Sequence, residues 1–373
     1  MPKDKKRIFV VLKSIDGGTG TWAIGLSKLQ KFYDIHFLVL EKPAHRKDIN
    51  IKNISFFHRN KYYSERYGIT PKLIKDIIKE LLWLRKLINT LKPELVVGAD
   101  LHPNLLIMIC RYITYIKYKT VLTTHIDLAS TIKEKGSFAL NIIATQLIGR
   151  VYDRADKLIS VSKGVGSGLK KYFSIKKDIL TIYNGIKIPK KIKRQKSDCL
   201  KILSVGRLVE QKDYPTLIKA VQIVSVHFPN VKLTIVGDGP LRPSIEKLIK
   251  ELHLSKQINI VGWVTNTSNH YKNNDIFVLP SKREGLSYAL LEAMSYSMPA
   301  ISSNVNYGPK EIFSGKYGLL FPSGNVRKLA KQIFELAGNK NYYSIMSDNA
   351  YYRARYFGLS TMLEQYKRVF DSL

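Results

Sequence analysis

The sequence predicts an α/β protein with two doubly wound, parallel-sheet domains, and three observations lead to this prediction. The chain has 373 residues, which is more than a single hydrophobic core usually supports. Short strand-like runs alternate with helix-like segments along the whole chain, as is typical of parallel βαβ units. A basic, proline-containing segment without periodicity, residues 187–197, interrupts this alternation near the middle. We interpret the segment as an interdomain linker.

The linker divides the chain into an amino-terminal domain, residues 1–186, and a carboxyl-terminal domain, residues 198–355. A last helix, about residues 356–373, is expected to pack back on the first domain. The strands predicted for the first domain are Arg7–Leu12, Ile35–Leu40, Leu95–Gly98, Thr120–Thr124 and Lys157–Val161. One of its predicted helices begins after Thr21, and two others cover Pro71–Thr90 and Lys163–Tyr172. The strands predicted for the second domain are Lys201–Val205, Lys232–Val236, Ile258–Val261, Ile276–Leu279 and Ala300–Ser302, and its helices lie near Tyr214–His227, Leu241–Leu252 and Leu286–Met294. Because doubly wound sheets bind ligands at the carboxyl ends of their strands, we expect both sheets to point these ends into one cleft.

The helix predicted over Pro71–Thr90 is amphipathic. Its lysines fall mostly on the side opposite to its apolar residues, which recur at intervals of three and four. The residues assigned to its apolar face are Leu73, Ile74, Ile77, Ile78, Leu81, Leu84, Leu87, Ile88 and Leu91.

The sequence indicates a cytoplasmic protein without a membrane span. The apolar run Ile8–Leu12 is too short for a signal peptide, and Leu101–Leu122 is interrupted by three basic residues. Two cysteines, Cys110 and Cys199, stand far apart in unrelated settings. This excludes a disulfide framework and a cysteine metal site and is typical of a reducing cytosol.

The positive charge is large and unevenly distributed. The net charge is +32, and residues 1–200 carry 39 Lys and Arg against 16 Asp and Glu, an excess of 23, which leaves an excess of 9 for the rest. Such a field attracts nucleic acid, an acidic membrane or a phosphorylated substrate. A lysine-rich genome accounts for part of the charge but not for its concentration in the first half.

The loop after the first predicted strand, Asp16–Thr21, can approach a phosphate group. Gly17 and Gly18 let backbone N–H groups reach an anion at the start of a helix. The loop matches neither the dinucleotide-binding fingerprint nor the P-loop. A simple strand-to-helix turn is the alternative interpretation.

A second loop carries two permanent cations between a strand and a helix. Gly206 and Arg207 follow the strand Lys201–Val205, and Lys212 precedes the next helix. Arginine can fork two phosphate oxygens while lysine acts as a point charge, so this loop suits a diphosphate. Two further glycine-containing loops, Val236–Pro240 and Tyr307–Glu311, are interpreted first as turns.

The stretch after the strand Ile276–Leu279 contains two carboxylates. Glu284 and Gly285 stand in the turn, and Ser287 is placed to cap a helix whose N–H groups and dipole favour an anion. Glu292 lies about 8 Å along the helix axis, at ~1.5 Å per residue. Two acceptors beside a phosphate-binding helix end fit a nucleotide sugar, with one on the sugar hydroxyls and one on the ribose. For each glutamate alone, a surface or dipole-stabilising acid is the alternative.

Taken together, these segments resemble family 4 retaining glycosyltransferases of the GT-B fold. Glu284 and Glu292 meet the E-x7-E spacing of that family. Other segments in the family's order are SVGRLVEQKDYPTLIKA, GDGPL, GWV, Pro299, Asp156–Gly164, Tyr183–Gly185 and Gly308–Ile312. The resemblance spans nearly the whole chain and implies two Rossmann-like domains facing each other across a cleft.

The resemblance also implies roles for individual residues. Arg207 and Lys212 would neutralise the leaving diphosphate, Glu284 would bind donor sugar hydroxyls, and Glu292 would bind the ribose. His125 would approach the sugar from the first domain, although a packed structural histidine is the alternative. The remaining donor-binding residues implied are Gly17, Gly18, Gly206, Trp263, Val264, Gly285, Leu286 and Ser287.

We expect the reaction to need neither a cofactor nor a metal ion. The chain lacks an Asp-x-Asp motif and a His/Cys cluster, while two cations and a helix dipole can stabilise a departing diphosphate. In the mechanism usually proposed for such retaining enzymes, the acceptor hydroxyl attacks on the face of the leaving phosphate, which takes the proton. A pair of glycosidase-type carboxylates is therefore not required.

The basic first half suggests where the enzyme works. The resemblance implies that the amino-terminal domain receives the acceptor, and an anionic membrane surface or a polyprenyl-linked saccharide would be attracted to its charge. We therefore expect a peripheral enzyme at the inner face of the cytoplasmic membrane that builds a cell-surface polysaccharide or glycolipid. A GT-B sugar-nucleotide epimerase is an alternative. A basic nucleic-acid-binding protein is another, but no nucleic-acid module is recognisable and no specific nucleic acid is expected.

Overall fold

The chain forms two compact units, each built on a parallel sheet. The computed structural model describes residues 5–45, 51–57, 71–135, 138–194, 197 and 199–373. The first unit combines Met1–Asn184 with Ser360–Leu373, and the second is Gly185–Leu359. The predicted α/β class is confirmed.

The first unit contains a sheet of seven parallel strands within its described residues. These strands are β1 (Arg7–Leu12), β2 (Asp34–Val39), β3 (Ile54–Phe56), β4 (Leu95–Ala99), β5 (Lys119–Thr124), β6 (Lys157–Ser160) and β7 (Ile179–Thr181). The helices are α1 (Gly17–Leu26), α2 (Pro71–Leu91), α3 (Leu101–Ile113), α4 (Leu128–Lys135), α5 (Phe138–Asp153) and α6 (Lys163–Phe173). The strand order is β3-β2-β1-β4-β5-β6-β7. Ile8 to Leu12 of β1 are fully buried, as expected for a central parallel strand covered on both faces.

The second unit contains a sheet of six parallel strands within its described residues. These strands are β8 (Lys201–Val205), β9 (Lys232–Val236), β10 (Ile258–Gly262), β11 (Ile276–Leu279), β12 (Ala300–Asn304) and β13 (Leu319–Pro322). The helices are α7 (Tyr214–His227), α8 (Arg242–Glu251), α9 (Ser268–Asn273), α10 (Tyr288–Ser295), α11 (Pro309–Phe313), α12 (Val326–Gly338) and α13 (Lys340–Arg355). The strand order is β10-β9-β8-β11-β12-β13.

The last helix, α14 (Leu359–Asp371), packs on the first unit. Its fully buried Tyr366 lies 5.8 Å from the Trp22 ring, and Phe370 lies edge-on to Tyr33 at 5.6 Å. The first unit is therefore assembled from both ends of the chain.

Residues 187–194 of the predicted linker belong to the second unit. The Arg194 guanidinium donates hydrogen bonds to the backbone oxygens of Tyr271, Asn274 and, at 2.8 Å, Tyr296. This side chain therefore anchors the segment to α9 and the end of α10. Residues 195 and 196 of the predicted linker lie outside the described residues.

Three strands were not predicted, and all three are edge strands. They are β3, β7 and β13, which lie at the ends of the two sheets. Most of their residues are half-buried or exposed. They lack the continuous apolar run that identifies a strand buried on both faces, so periodicity alone does not find them.

Two residues assigned to the apolar face of α2 lie outside the core. Leu84 and Ile88 are fully buried, as predicted, but Ile74 is 48% exposed and Ile78 is 50% exposed. The prediction assigned too many residues to the buried face, because isoleucines at the edges of that face also recur at intervals of three and four. The outer side of α2 thus carries apolar side chains that the core does not use.

The apolar region Leu101–Leu122 folds as α3 and part of β5, in agreement with the prediction that it does not span a membrane. In the described part of the chain, no helix combines the length and the apolar character that crossing a bilayer requires.

Each sheet has one point where the chain reverses its direction of winding. In the first sheet this point lies between β1 and β4, and in the second between β8 and β11. Loops leaving the carboxyl ends of such neighbouring strands diverge and open a crevice, which is where doubly wound proteins bind ligands. The glycine-containing and basic loops that we interpret as phosphate-binding follow β1, β8 and β11, which are strands at these two points.

Candidate functional site

An ion pair joins the two loops at the switch point of the second sheet. Lys212, on the loop after β8, places its Nζ 2.6 Å from Oε1 of Glu284, on the loop after β11. The two side chains are only 18% and 8% exposed. The pair brings together two predicted site residues that stand far apart in the sequence.

A backbone hydrogen bond and a bond from the Gln211 side chain hold these two loops together independently of the pair. The Lys282 N–H donates to the Gln211 oxygen at 2.8 Å, and Gln211 Nε2 donates to the Arg283 oxygen at 2.9 Å. The ammonium and carboxylate are therefore positioned by the fold before any ligand arrives. Such preorganised charges stabilise developing charge without reorganisation.

The two loops interpreted as turns pack directly against these site loops. Gly237 has φ +144°, and a Cβ there would lie 2.0 Å from the Gly206 oxygen. Gly308 has φ +75°, and a Cβ there would lie 2.8 Å from the Gly285 oxygen. Both positions require glycine because of backbone conformation and close approach. The two turns therefore pack against the site loops at Gly206 and Glu284.

Arg207, which directly follows Gly206 in the sequence, is exposed. Its guanidinium makes no ion pair with another residue in the ranges that the structure describes. The structure leaves this cation at the carboxyl edge of β8, where an anionic ligand can reach it.

The helix α10 begins beside Glu284. The Ser287 hydroxyl accepts a hydrogen bond from the Leu290 N–H at 3.4 Å, so Ser287 is the cap that the sequence predicts. The helix therefore begins at Tyr288 rather than at Leu286, and the segment before it, Gly285 to Ser287, is buried. Their backbone groups lie at the positive end of the helix dipole.

Glu292 lies on α10 and is oriented by a tyrosine that the sequence did not single out. The Tyr271 hydroxyl donates to Glu292 Oε2 at 2.9 Å. The Tyr271 ring is buried and stacks on Tyr296 at 5.6 Å. Burial, followed by the charge of Glu292, raises the pKa of Tyr271 and keeps it a hydrogen-bond donor. Tyr271 thereby fixes one oxygen of the carboxylate.

Trp263 and Val264 follow β10, the edge strand of the same sheet. Both are half-buried. In the strand order β9 and β8 separate β10 from β11, so these residues share the carboxyl edge with Glu284 but do not follow a neighbouring strand.

A second group of predicted residues gathers at the switch point of the first sheet. Gly17 and Gly18 are exposed at the start of α1, after β1, and Gly17 has φ +78°. His125 follows β5 and is 8% exposed. The His125 Nε2 lies 2.9 Å from Thr123 Oγ1, and its ring meets Trp22 edge-on at 4.7 Å.

Asp100 connects the first turn of α1 with His125 after β5 and was not predicted as a site residue. One carboxylate oxygen accepts from the His125 backbone N–H at 2.7 Å, and the other accepts from Thr19 Oγ1 at 3.3 Å. Asp100 has φ +70°, an unusual conformation for a residue with a side chain. Its place directly after the strand Leu95–Ala99 was the sequence feature that could have identified it.

We expect His125 to remain neutral below the pH at which an ordinary histidine becomes charged. Burial lowers the pKa of its imidazole, and the Asp100 carboxylate opposes this shift to a smaller extent. Because the folded pKa lies below the unfolded value of about 6.5, the contribution to stability is present above that pH and is lost as the pH falls toward the folded pKa. Histidine-selective NMR titration, with His125→Asn to assign the resonance, measures this. A His125 resonance that titrates at or above about 6.5 contradicts the expectation.

Two family models match consecutive halves of the chain. Residues 186–353 match the model described as glycosyl transferases group 1. Residues 17–188 match the model described as Glycosyltransferase Family 4. The residues gathered after β8 and β11 lie within the first match, and those after β1 and β5 lie within the second.

Curated proteins and solved structures resemble the chain over most of its length. An uncharacterized glycosyltransferase of Haemophilus influenzae is 24% identical over 371 residues, which cover 98% of this chain and 99% of that protein. The Campylobacter jejuni N-acetylgalactosamine-N,N'-diacetylbacillosaminyl-diphospho-undecaprenol 4-alpha-N-acetylgalactosaminyltransferase is 29% identical over 57% of this chain and 59% of its own length. The crystal structure of Anabaena HepE in complex with UDP has a TM-score of 0.76 at 17% identity, covering 98% of this chain and all of that one.

Proposed function

We propose that the chain, which matches the family models of glycosyl transferases group 1 and Glycosyltransferase Family 4 in its two halves and has the GT-B fold, transfers a sugar from a nucleotide diphosphate sugar to a saccharide or lipid-linked saccharide, with retention of anomeric configuration and without a metal ion. The observation that carries the proposal is the Lys212–Glu284 pair at the switch point of the second sheet.

The pair suits a ligand that is anionic at one end and rich in hydroxyl groups at the other. Lys212 has three donors, so it can keep Glu284 in place while it binds a phosphate oxygen. The Glu284 carboxylate accepts hydrogen bonds from sugar hydroxyls. Arg207 and the start of α10 add positive potential for the second phosphate.

The same groups supply the chemistry that we propose. Cleavage of the bond between sugar and phosphate leaves an oxocarbenium-like sugar and a nucleoside diphosphate with additional negative charge. Lys212 and Arg207 stabilise this charge, and the leaving phosphate accepts the proton of the attacking hydroxyl. His125 of the first unit, as a neutral imidazole, offers a hydrogen bond rather than a charge.

Glu292 completes the part of the proposed donor site that the second unit supplies. Glu292, oriented by Tyr271, binds the ribose diol, and Trp263 and Val264 lie beside the base. In the first unit, the exposed backbone of Gly17 and Gly18 is available to a phosphate group.

We propose an acceptor at the inner face of the cytoplasmic membrane. The residues up to 200 carry an excess of 23 positive charges, which favours an anionic surface or a polyprenyl diphosphate. The name of the Campylobacter jejuni relative includes diphospho-undecaprenol, which supports this class of acceptor. The product would be a surface polysaccharide or glycolipid.

The proposal is tested first by binding and then by product stereochemistry. Calorimetry with UDP-, GDP- and ADP-sugars is expected to give saturable binding of at least one donor, unchanged by EDTA. Proton NMR of the product formed with that donor is expected to show the anomeric configuration of the donor. An inverted product, or transfer that EDTA abolishes, contradicts the proposed mechanism. An epimerised nucleotide sugar formed without acceptor indicates an epimerase instead.

A further inference from the structure

Exposed apolar side chains form a stripe along the outer side of α2. Ile74, Ile78 and Leu82 follow one another at intervals of four residues and are 48%, 50% and 55% exposed. Leu84 and Ile88, on the inner side of the same helix, are fully buried. The helix thus has one apolar face in the core and a second apolar stripe that is exposed to solvent.

A row of cations runs beside this stripe. Lys75, Lys79 and Lys86 are all exposed, and at 100° per residue they lie next to Leu82 on the helix surface. Two acids stand next to these lysines in the sequence: Asp76 is half-buried, and Glu80 is fully buried and lies 2.8 Å from His102. The exposed combination is therefore apolar and positive.

Helix α3 widens the surface. The Cys110 Sγ lies 3.8 Å from the Leu81 oxygen, and the Arg85 guanidinium lies 5.6 Å from the Tyr115 ring, so the two helices are neighbours. Ile109 and Ile113 of α3 are 43% and 39% exposed. The exposed apolar residues of α3 thus add to those of α2 on this pair of neighbouring helices.

We propose that this face of α2 and α3 is the surface by which the protein lies on an anionic lipid bilayer. Interfacial helices combine an apolar stripe, which enters the boundary between headgroups and acyl chains, with lysines that pair with anionic headgroups. Tyr115, whose ring is 85% exposed, has the amphipathic character of residues at such interfaces. The row of lysines is complementary to a bilayer and favours it over an uncharged protein partner.

The position of the surface fits the acceptor proposed above, and this step rests on the proposed function. In a βαβ unit each helix starts near the carboxyl end of the strand before it. The amino-terminal ends of α2 and α3 therefore lie toward the carboxyl edge of the first sheet, where Gly18 and His125 are found. An acceptor anchored in the bilayer would lie close to that edge.

The test compares vesicle binding of matched variants. One variant carries Ile74→Ser, Ile78→Ser and Leu82→Ser, and another carries Lys75→Glu and Lys79→Glu. Their controls change exposed residues of the second unit: Val226→Ser with Ile345→Ser, and Lys219→Glu with Lys328→Glu. Flotation with phosphatidylglycerol/phosphatidylcholine vesicles is expected to show at least about tenfold weaker partition for both α2 variants and unchanged partition for both controls, since each α2 variant loses one of the two attractive contributions.

Several outcomes overturn the inference. Wild-type protein that ignores the phosphatidylglycerol content excludes the anionic bilayer, and α2 variants that bind like wild type exclude this surface. A dimer in solution that only the α2 variants lose assigns the face to a second copy of the chain. Circular dichroism and binding of UDP, GDP and ADP, expected to match wild type, show that the variants are folded. Failure of the proposed transferase function is distinguishable, because it abolishes nucleotide-sugar binding without changing flotation.

Discussion

Lys212→Ala is expected to lower kcat for sugar transfer by about 10²–10³-fold. The variant removes the ammonium that we place against the leaving diphosphate, and the substitution does not touch the Gln211 contacts that hold the two site loops together. Lys212→Arg is expected to retain part of the activity because the charge remains, although the guanidinium cannot take the place of a compact ammonium 2.6 Å from Glu284. Initial rates with the donor identified by calorimetry measure both variants.

Lys282→Ala is the matched control for this prediction. Lys282 pairs with Glu210 at 3.1 Å on the surface of the same two loops, and its side chain is 46% exposed. Because exposed pairs contribute little, its kcat is expected to change less than about threefold. If Lys212→Ala turns over donor as fast as Lys282→Ala, Lys212 does not stabilise the leaving group.

Glu284→Ala is expected to lose transfer to a similar extent and also to destabilise the second unit. It leaves the Lys212 ammonium largely buried without its partner, and removal of one member of a buried pair costs about 3 kcal/mol. In a unit of this size that corresponds to a decrease in Tm of about 6–12 °C. Thermal unfolding and initial rates are measured on the same samples.

The double variant Lys212→Ala/Glu284→Ala separates the two effects. It removes both charges, so its Tm is expected to recover above that of Glu284→Ala while its activity stays lost. Glu284→Gln keeps the volume and one acceptor oxygen of the side chain but removes the charge, and it is expected to lose activity with a smaller decrease in Tm. Strictly additive decreases in Tm would show that Lys212 and Glu284 are not energetically coupled.

The regular elements around the site could be predicted from the sequence because their local patterns are strong. The bounds of β8, β9, β11 and α7 agree with the prediction residue by residue. The alternation of strands and helices made it possible to expect that Gly206, Lys212 and Glu284 share one edge, since loops after parallel strands meet there. Which of these side chains touch was not predictable, because pairing across the loops depends on contacts such as Gln211 with Arg283.

Residues outside the family pattern were harder to identify. Asp100 acts through backbone and hydroxyl contacts with two other loops, and Tyr271 acts through the carboxylate of Glu292. Neither residue has a local spacing that reveals its partner. In α2 the spacing of the isoleucines was correct, but only the fold decides which of them the core covers. Sequence periodicity describes one helix, whereas burial depends on its neighbours.

The packing of α14 on the first unit has a consequence for synthesis on the ribosome. Until Tyr366 emerges, Trp22 lacks one of its aromatic neighbours, and the same Trp22 ring supports His125. The second unit, in contrast, is complete once Leu359 has left the exit tunnel. The unit built around β1 therefore completes its fold only after the second unit has been synthesised, and a nascent chain that still lacks α14 exposes the Trp22 and Tyr33 rings that this helix covers.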